Sequence, residues 1–343
     1  MVCDWRFREG YLDPHDLERL ESFARWEWLP SEGGERFQAN EDPKAMAGLL
    51  ERVGDVDAII VSHSSPRIAA EVMDRAPGLR IIGELEGDRF AARIDVEEAW
   101  ARGIRTVETN NGSSYPVAEW ALALILVSLW NGAAHFRDIL NGRQEVDDRG
   151  YEPRELSGRR VGLIGCGHMG RRLIKLLRPF EVGLTVYDPY LPREIADALG
   201  FVQTSLDNVL SQSDVIVCLA PLTPVTRGMI GKRELDLIRS GSAFVNVSRG
   251  AVVDSDALIA RLRRGDITAG LDVFDPEPIP SDSEIVRLRN VFLSPHASGH
   301  LKSANTAFIS LMVDELDRFF HGHETLFDLT PRSLANRRGE EPL

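Results

Sequence analysis

Cysteine is scarce in this sequence, which contains only Cys3, Cys166 and Cys218 among 343 residues. An odd number of cysteines without a C-x-x-C pair does not build a disulfide framework, and no metal-ligand cluster is evident in the sequence. The pattern is typical of reduced thiols in a cytosolic protein. The first residues contain no apolar segment of the kind found in secretory signals, so we expect a cytoplasmic location.

Positive charge and long apolar runs are also in short supply. Lys and Arg number 40 against 53 Asp and Glu, which gives a formal net charge of -13, and they form no basic run. A nucleic-acid-binding protein needs a basic surface to displace counterions from phosphates, so we expect no nucleic-acid partner. The most apolar stretch, residues 117–130, is too short to cross a bilayer and carries Glu119, so it predicts a buried helix and no membrane association.

Short apolar segments recur along the chain and alternate with helical patterns. Residues 57–62 and 79–83 predict buried strands, and residues 94–102 predict a helix. From residue 160 the alternation becomes regular. Helices are predicted at 169–178 and 304–320, and strands at 160–164, 184–188, 215–219, 243–247, 268–273 and 291–294. This alternation predicts an α/β protein with doubly wound parallel sheets.

A G-x-G-x-x-G motif follows the first strand of the regular part. Its glycines are Gly165, Gly167 and Gly170, and it lies between a predicted strand and a predicted helix, the context in which the motif binds a dinucleotide. Gly165 permits the tight turn, Gly167 lets the backbone approach a pyrophosphate, and Gly170 lets the helix pack closely on the strand. The helix start, with His168 and Met169, would offer N–H groups to the phosphates.

Asp188 ends the next predicted strand, eighteen residues after Gly170. A carboxylate at this place accepts hydrogen bonds from the adenosine ribose hydroxyls and repels the 2′-phosphate of NADP. The position therefore predicts NAD(H) as the cofactor. The other interpretation of Asp188 is a turn residue before Pro189.

Further motifs follow in order along the chain. They are Ile94-Asp-Val-Glu-Glu-Ala, Val117-Ala-Glu119, Pro221-Leu-Thr-Pro-Val-Thr226, Asn246-Val-Ser-Arg249-Gly250, Gly270-Leu-Asp272-Val-Phe-Asp-Pro-Glu277-Pro278 and Ser294-Pro-His296-Ala-Ser-Gly299. With the glycine motif, they resemble the D-isomer-specific 2-hydroxyacid dehydrogenase family over residues 94–300.

The resemblance implies two α/β domains of Rossmann-like or flavodoxin-like fold. A cofactor domain, residues 115–297, would be inserted into a substrate domain formed by residues 1–114 and 298–343. The resemblance also implies a homodimer, joined through the helix at 117–130 and the arm that follows it. The implied activity is the NAD(H)-dependent interconversion of a small D-2-hydroxy acid and its 2-keto acid.

Arg249, Glu277 and His296 match the catalytic triad of this family in order and local context. The resemblance implies that His296, as imidazolium, gives a proton to the carbonyl oxygen of a keto acid and acts as the base in the reverse direction. Glu277 would hydrogen-bond the other imidazole nitrogen and favour the charged ring. Arg249 would bind the substrate carboxylate and polarise the carbonyl through its fixed fork of donors. Taken singly, the three residues also fit a surface arginine, a loop acid and a turn histidine.

The resemblance implies further contacts to the cofactor outside the glycine motif. Asp272 would bind the nicotinamide carboxamide, and its other interpretation is an ordinary aspartate at a strand end. The remaining residues implied to line the cofactor are Ala220, Thr226, Val247, Ser248 and Ser298.

The segment after the strand at 79–83 departs from the family. The family has Gly-Val-Gly-x-Asp there, whose backbone amides bind the substrate carboxylate, whereas residues 84–93 of this chain lack the double glycine. Glu84 would repel a substrate anion that it faced, and Arg89 or Arg93 is then a candidate for the compensating charge. Alternatively, these charges face solvent and Gly87 still offers amides.

Other positions related to the substrate also differ from the family. Trp120 stands where the family has His after Ala-Glu, and Leu219 replaces a histidine that is common before the Pro-Leu-Thr motif. Ser113, in the turn-rich segment 110–116, is a further substrate candidate. The cofactor half of the pattern is complete, but the substrate half is divergent and does not select one keto acid.

Two other functions fit parts of the pattern. A sensor or corepressor-like protein would bind NAD(H) with little turnover, and some such relatives keep the triad. Relatives that oxidise formate have Gln where Glu277 stands, because their reaction transfers no proton. Glu277 therefore argues against formate oxidation, and the intact triad argues against a sensor.

Overall fold

The computed structural model describes residues 1–34, 38–85, 93–143, 152–299 and 301–340. The chain forms two compact units, and the second interrupts the first in sequence. Unit 1 comprises Met1–Ser113 and Leu301–Leu334, and unit 2 comprises Ser114–His300 together with the chain from Ala335. From the sequence, we expect the chain from Ala335 to belong to the substrate domain. In the structure it groups with unit 2, where Gly339 lies against Val225.

Unit 1 is built on a parallel sheet whose strands lie in the order β2-β1-β3-β4-β5. The strands are β1 (Val2–Cys3), β2 (Leu29–Pro30), β3 (Ala58–Val61), β4 (Ile81–Glu84) and β5 (Arg105–Glu108). The helices described between them are α1 (Trp5–Tyr11), α2 (Pro14–Glu21), α3 (Pro43–Arg52), α4 (Ala70–Arg75) and α5 (Val96–Ala101). The structure confirms the predicted elements β3, β4 and α5, although β4 continues past Gly83 to Glu84.

Aspartate side chains begin four of these helices. Asp4, Asp13, Asp42 and Asp95 each accept a backbone N–H from the first turn of α1, α2, α3 and α5 respectively. The N–H groups of a first turn have no partner inside the helix, so these caps stabilise the helix starts. Proline occupies the first helical position of α2 and α3, where its missing N–H is not needed.

Unit 2 is built on a larger parallel sheet with the strand order β12-β11-β10-β9-β6-β7-β8. The strands are β6 (Arg160–Ile164), β7 (Gly183–Tyr187), β8 (Val202–Gln203), β9 (Val215–Cys218), β10 (Ala243–Asn246), β11 (Thr268–Leu271) and β12 (Val291–Leu293). The described helices are α6 (Ser114–Leu129), α7 (Gly132–Leu140), α8 (His168–Leu177), α9 (Arg193–Leu199), α10 (Leu206–Gln212), α11 (Lys232–Leu237) and α12 (Ser255–Leu262). The order reverses between β6 and β9, which confirms the doubly wound sheet and places its switch point there.

Helix α6 is the apolar helix predicted at 117–130. With the turn before it, Asn110–Leu129 is long and apolar enough to cross a membrane by length and composition alone. Half of its residues from Ser114 onward are buried, however, and they pack on the sheet of unit 2. A Cβ on Gly270 of β11 would stand 2.8 Å from Ser128 Oγ and 2.9 Å from Leu124 Cβ. The apolar character of α6 thus serves close packing of a helix on a sheet.

The chain returns to unit 1 through helix α13 (Lys302–Phe320), followed by α14 (Pro331–Arg338). Helix α13 packs so closely that a Cβ on Gly83 would stand 2.6 Å from Met312 Sδ. After α13, the chain pairs with the edge strand β5: Leu329 N–H donates to Thr106 O at 2.9 Å. The buried Glu315 of α13 accepts the N–H groups of Leu326 and Phe327 at 2.8 and 2.9 Å and holds this segment in place.

Candidate active site

The residues that the sequence singled out in unit 2 follow the carboxyl ends of its strands. Because all the strands are parallel, these ends lie along one edge of the sheet, which is where doubly wound sheets bind ligands. The residues in question are Gly165 after β6, Asp188 after β7, Ala220 after β9, Val247, Ser248 and Arg249 after β10, Asp272 after β11, and His296 and Ser298 after β12. The fold therefore gathers the cofactor and catalytic candidates at one edge.

The glycine motif forms the turn between β6 and α8. Gly165 has φ +95°, a conformation that L side chains rarely adopt, and a Cβ there would stand 3.0 Å from Ala220 N. A Cβ on Gly170 would stand 3.0 Å from Gly165 O. At Gly167, by contrast, a Cβ would point into open space. That space lies at the N-terminus of α8 and suits the close approach of a pyrophosphate, so the residues present fit a dinucleotide.

Asp188 connects the glycine turn to the end of β7. Its Oδ2 accepts the Cys166 N–H at 2.9 Å, and its Oδ1 accepts the Tyr190 N–H at 3.0 Å. The residue is half-buried. An ionised carboxylate has about four lone-pair positions, so two of them stay available for ribose hydroxyls. The turn role and the ribose role of Asp188 are therefore compatible.

Two side chains of the glycine turn are neutral at pH 7. Burial, with Arg171 and Arg172 nearby, lowers the pKa of His168. Burial also raises the pKa of the Cys166 thiol to about 11. An anionic ligand at the start of α8 therefore meets backbone N–H groups and arginine charge and does not meet a thiolate.

His296 and Glu277 are in direct contact. His296 Nδ1 lies 2.8 Å from Glu277 Oε1, and the two side chains are 31% and 35% exposed. A carboxylate on Nδ1 sets the orientation of the imidazole and stabilises its charged form. The structure thus brings together two of the three predicted catalytic residues, although nineteen residues separate them in the sequence.

The turn that carries Arg249 is shaped by Asn246, the last residue of β10. Asn246 Nδ2 donates to Arg249 O at 3.2 Å, and Asn246 Oδ1 accepts the Ser248 N–H at 3.0 Å. A Cβ on Gly250 would fall 1.9 Å from the carbonyl carbon of Phe274. Only glycine therefore lets the Arg249 turn lie against the segment that leads to Glu277.

Asp272 is fully buried and organises the loop that carries His296. Its Oδ1 accepts a hydrogen bond from the Ser294 hydroxyl. Oδ1 also accepts the Ala297 N–H at 2.8 Å, and Oδ2 accepts the Ser298 N–H at 3.1 Å. Its predicted contact with the nicotinamide carboxamide stays a prediction. The structure adds a second role for this carboxylate, which is to hold the residues before and after His296 by hydrogen bonds.

Thr226 organises its own loop. Its hydroxyl donates to Pro221 O at 2.6 Å and accepts the Thr223 N–H at 2.8 Å. The loop Pro221–Thr226 follows β9 and lies beside the glycine turn through Ala220. Thr226 thus supports the loop expected to line the cofactor.

The substrate candidates in unit 1 do not form a common site among the described residues. Gly87 and Arg89 lie outside the described residues. Ser113 is half-buried and its hydroxyl donates to Asn110 O at 3.3 Å. The predictions for Glu84 and Arg93 need correction, because the two side chains are fully buried and form an ion pair at 2.7 Å. Arg93 therefore does not offer its charge to a substrate anion. It neutralises Glu84 in the interior of unit 1.

Three residues that the sequence does not indicate as site residues support the site. Asn246 and Ser294 act through hydrogen bonds to turns, and in the sequence each belongs to a motif without a role of its own. Trp120 departs from the family pattern, and in the structure its Nε1 donates to Ser294 Oγ at 3.0 Å. Asn246 is the last residue of the buried strand β10 and Ser294 directly follows β12, and this position at a strand end is the signal that could have found them.

Comparison with known proteins bears directly on this arrangement. Residues 122–298 match the family model "D-isomer specific 2-hydroxyacid dehydrogenase, NAD binding domain". A glyoxylate reductase of Korarchaeum cryptofilum is 32% identical over 87% of this chain and 88% of that protein. A D-3-phosphoglycerate dehydrogenase of Methanocaldococcus jannaschii is 32% identical over 80% of this chain, which spans about half (52%) of that relative's length.

Solved structures agree with these matches. The crystal structure of a phosphoglycerate oxidoreductase from Rhizobium etli superposes with a TM-score of 0.82 at 26% identity and covers 97% of this chain and 98% of that one. The matched range 122–298 contains the glycine motif, Asp188 and the three catalytic candidates. NAD(H) is thereby confirmed as the cofactor of this class of domain. The chain belongs to the D-isomer specific 2-hydroxyacid dehydrogenase family and is an NAD(H)-dependent oxidoreductase.

Proposed function

We propose that this protein interconverts a small D-2-hydroxy acid and its 2-keto acid, with His296 as acid and base. The observation that carries the proposal is the 2.8 Å contact between His296 Nδ1 and Glu277 Oε1 at the sheet edge that also holds the glycine turn. A histidine oriented by a carboxylate is what acid–base turnover requires, and this favours a dehydrogenase over a protein that only senses NAD(H). The relatives named glyoxylate reductase and phosphoglycerate dehydrogenase support the same class of substrate.

The cofactor would be held by the glycine turn, by Asp188 at the ribose and by the loop around Thr226. When bound, the nicotinamide supplies or accepts the hydride. The side chains of this protein bind the substrate, orient it and move the proton. Asp188 adds a negative charge beside the ribose, so we propose that NAD(H) is preferred over NADP(H).

His296 transfers the proton. In the direction of reduction the carbonyl carbon gains a hydride, and the oxygen would become an alkoxide unless it is protonated. His296 as imidazolium gives its proton to that oxygen and becomes neutral. In the direction of oxidation neutral His296 takes the proton from the hydroxyl. Glu277 keeps its charge in both directions and stabilises the imidazolium.

Arg249 binds the carboxylate of the substrate. A guanidinium presents paired N–H donors that match a carboxylate in a bidentate geometry. Asn246 holds the Ser248 N–H and the Arg249 carbonyl of this turn, so the backbone of Arg249 has a defined position. The positive charge also polarises the neighbouring carbonyl and favours addition of hydride.

The test is turnover with a panel of 2-keto acids. Oxidation of NADH would be followed with glyoxylate, hydroxypyruvate, pyruvate, phosphohydroxypyruvate and longer keto acids, and reduction of NAD⁺ with the matching D-hydroxy acids and with formate. We expect turnover of at least one keto acid and none of formate. Tight binding of NADH without turnover of any substrate would instead establish a sensor.

We also propose a homodimer. Large apolar side chains are exposed together at the end of α6 and on α7, namely Trp130 (56%), Phe136 (66%), Ile139 (60%) and Leu140 (70%). Apolar residues clustered on a surface mark interaction sites. A second copy of this chain offers the same patch, which is the condition for a twofold-symmetric interface.

The cysteines support a cytoplasmic location, which we propose as well. Cys3, Cys166 and Cys218 are buried and free. Burial raises the pKa of Cys3 to about 12 and that of Cys166 to about 11, so neither forms an appreciable amount of thiolate at neutral pH. Unreactive reduced thiols suit a reducing compartment.

A further inference from the structure

Trp120 connects helix α6 to the end of strand β12. Its ring is half-buried and packs edge-on against Phe292, with 6.4 Å between ring centroids. Its indole Nε1 donates to Ser294 Oγ at 3.0 Å. Ser294 is buried and directly follows β12, two residues before His296. A residue of a packed core helix thus contacts the loop that carries the acid–base histidine.

The direction of the hydrogen bonds in this chain of contacts is fixed. An indole N–H can only donate, and an ionised carboxylate can only accept. The Ser294 hydroxyl donates its single O–H hydrogen bond to Asp272 Oδ1, and one of its lone pairs accepts the N–H of Trp120. The order is therefore Trp120 to Ser294 to Asp272. Bonds arranged in this way polarise one another and strengthen the whole chain.

Asp272 holds the backbone on both sides of His296. It accepts the Ser294 hydroxyl before the histidine and the N–H groups of Ala297 and Ser298 after it. His296 has φ +53°, in the left-handed region, and its N–H donates to Ser294 O at 3.0 Å. That conformation costs about 1–2 kcal/mol for a residue with a Cβ, so it persists only where its surroundings impose it.

We propose that Trp120 is a positioning residue for His296. Its indole N–H fixes the hydrogen bond between Ser294 and Asp272. That bond holds the strained turn at His296, and the turn orients the imidazole towards Glu277. Trp120 itself does not touch the reacting atoms. The proposal rests on the acid–base role proposed for His296. It also gives a physical use to the tryptophan that replaces the histidine of the family at this position.

The test compares matched variants of the full-length protein. Trp120→Phe keeps an aromatic ring and removes the donor, Ser294→Ala removes the relay, and Ser294→Thr keeps the hydroxyl. Trp100→Phe is the control, because Trp100 Nε1 donates to Thr106 Oγ1 at 2.9 Å in unit 1. It loses the same kind of bond at a place with no proposed role in the reaction. Thermal unfolding of each variant verifies that it is folded.

The kinetic result expected is a loss in kcat. Trp120→Phe lowers kcat about two- to tenfold, the effect of one hydrogen bond, while KM for NADH changes less than about twofold. Its reduction rate also declines at lower pH than that of the wild type, because a loosened turn weakens the contact of His296 with Glu277. Ser294→Thr keeps most of the activity. The double variant Trp120→Phe/Ser294→Ala is no slower than Ser294→Ala alone, since both act through one chain of bonds.

A second readout needs no substrate. Nitrogen NMR of the histidine rings in the NAD⁺-bound protein shows how the ring of His296 is hydrogen-bonded, and the His296→Asn variant identifies its signals. We expect Trp120→Phe to change the Nδ1 signal and Trp100→Phe to leave it unchanged. If no keto acid is turned over, this measurement still decides whether Trp120 positions the ring. Equal behaviour of Trp120→Phe and Trp100→Phe in kcat, pH profile and NMR, or additive losses in the double variant, would overturn the proposal.

Discussion

Glu84 and Arg93 form an ion pair in which both side chains are completely buried, with Arg93 Nη1 2.7 Å from Glu84 Oε1. Glu84 is the last residue of β4, and Arg93 lies just before α5. The pair neutralises two charges inside unit 1. It therefore ties the start and the end of the divergent segment to the core of that unit.

Removal of one member of this pair should be costly. Arg93→Met leaves the Glu84 carboxylate buried without its guanidinium, and we expect it to lower the free energy of unfolding by about 3–5 kcal/mol. Glu84→Leu together with Arg93→Met should recover most of that loss, because no charge is then buried. Urea denaturation measures both. The control is Arg52→Met, since its ion pair with Glu27 is exposed and should cost less than about 1 kcal/mol. An equal cost for Arg93→Met and Arg52→Met would contradict the predicted role.

The contact between His296 and Glu277 predicts two distinct defects. His296→Ala should lower kcat about 10²–10⁴-fold, because the proton donor is lost, while NADH binding measured by fluorescence is retained. Glu277→Gln removes the charge that stabilises the imidazolium. The rate of reduction, which needs the charged ring, should then decline at lower pH than in the wild type. The rate of oxidation, which needs the neutral ring, should extend to lower pH. Unchanged pH–rate curves would show that Glu277 does not act on His296.

Local sequence patterns predicted the elements that depend on local physics. Strands such as β6 and β9 are short, apolar and bounded by turns, and the structure confirms them within one residue. The glycine turn was equally predictable, because its spacing between a strand and a helix reflects a local geometry. By contrast, β1 and β2 are two residues long and leave no periodic signal.

The parts of the site that sequence could not supply depend on contacts between distant segments. The motifs indicate Glu277 and His296 as site residues, but only the structure shows that the two side chains are in contact. Nothing in the sequence shows that Trp120 reaches Ser294, since 174 residues separate them. The same limit explains the error over Glu84 and Arg93. A run of charges resembles a solvated loop, and only the packing of unit 1 shows that two of them are buried as a pair.

The carboxylate of Asp188 should set the choice of cofactor. Its charge should disfavour NADPH relative to NADH by about ten- to a thousandfold in kcat/KM, or about 1.4–4 kcal/mol. Asp188→Asn removes the charge and keeps an oxygen that can accept the Cys166 N–H, so the glycine turn should persist while the preference narrows. Asp188→Leu removes the acceptor as well and should weaken binding of both cofactors. Equal kcat/KM for the two cofactors in the wild type would refute the role of Asp188.

The exposed apolar patch at the end of α6 and on α7 should form the interface of the proposed homodimer. A buried leucine contributes about 1.5–3 kcal/mol, and each residue counts twice in a twofold interface. Leu140→Asp combined with Phe136→Asp should therefore convert the dimer to monomer in sedimentation velocity at micromolar concentration. Val202→Asp is the control, because Val202 is similarly exposed (64%) on the edge strand β8. A monomeric wild type, or a dimer unaffected by the double substitution, would place the interface elsewhere or remove it.

Glu315 should make the stability of unit 1 depend on pH. Burial raises the pKa of this carboxyl, with the nearby Asp328 adding to the effect, despite the two N–H groups that it accepts. The folded state therefore binds the proton more tightly than the unfolded state does. Below the ordinary value of 4.5 both states are protonated, and the carboxyl does not penalise folding. As pH rises above that value the unfolded state ionises first, so stability is lost until the folded carboxyl has ionised as well.

Glu315→Gln removes this titration and keeps an oxygen for the N–H groups of Leu326 and Phe327. We expect the melting temperature of the variant to match that of the wild type below pH 4.5, and to exceed it by a margin that grows with pH until the folded carboxyl has ionised. Calorimetry at a series of pH values measures the difference. Glu324→Gln, at an exposed carboxyl near the same segment, is the control and should show no such trend. A difference that shrinks as pH rises would mean that Glu315 is stabilised as the anion, and that its two N–H contacts outweigh its burial.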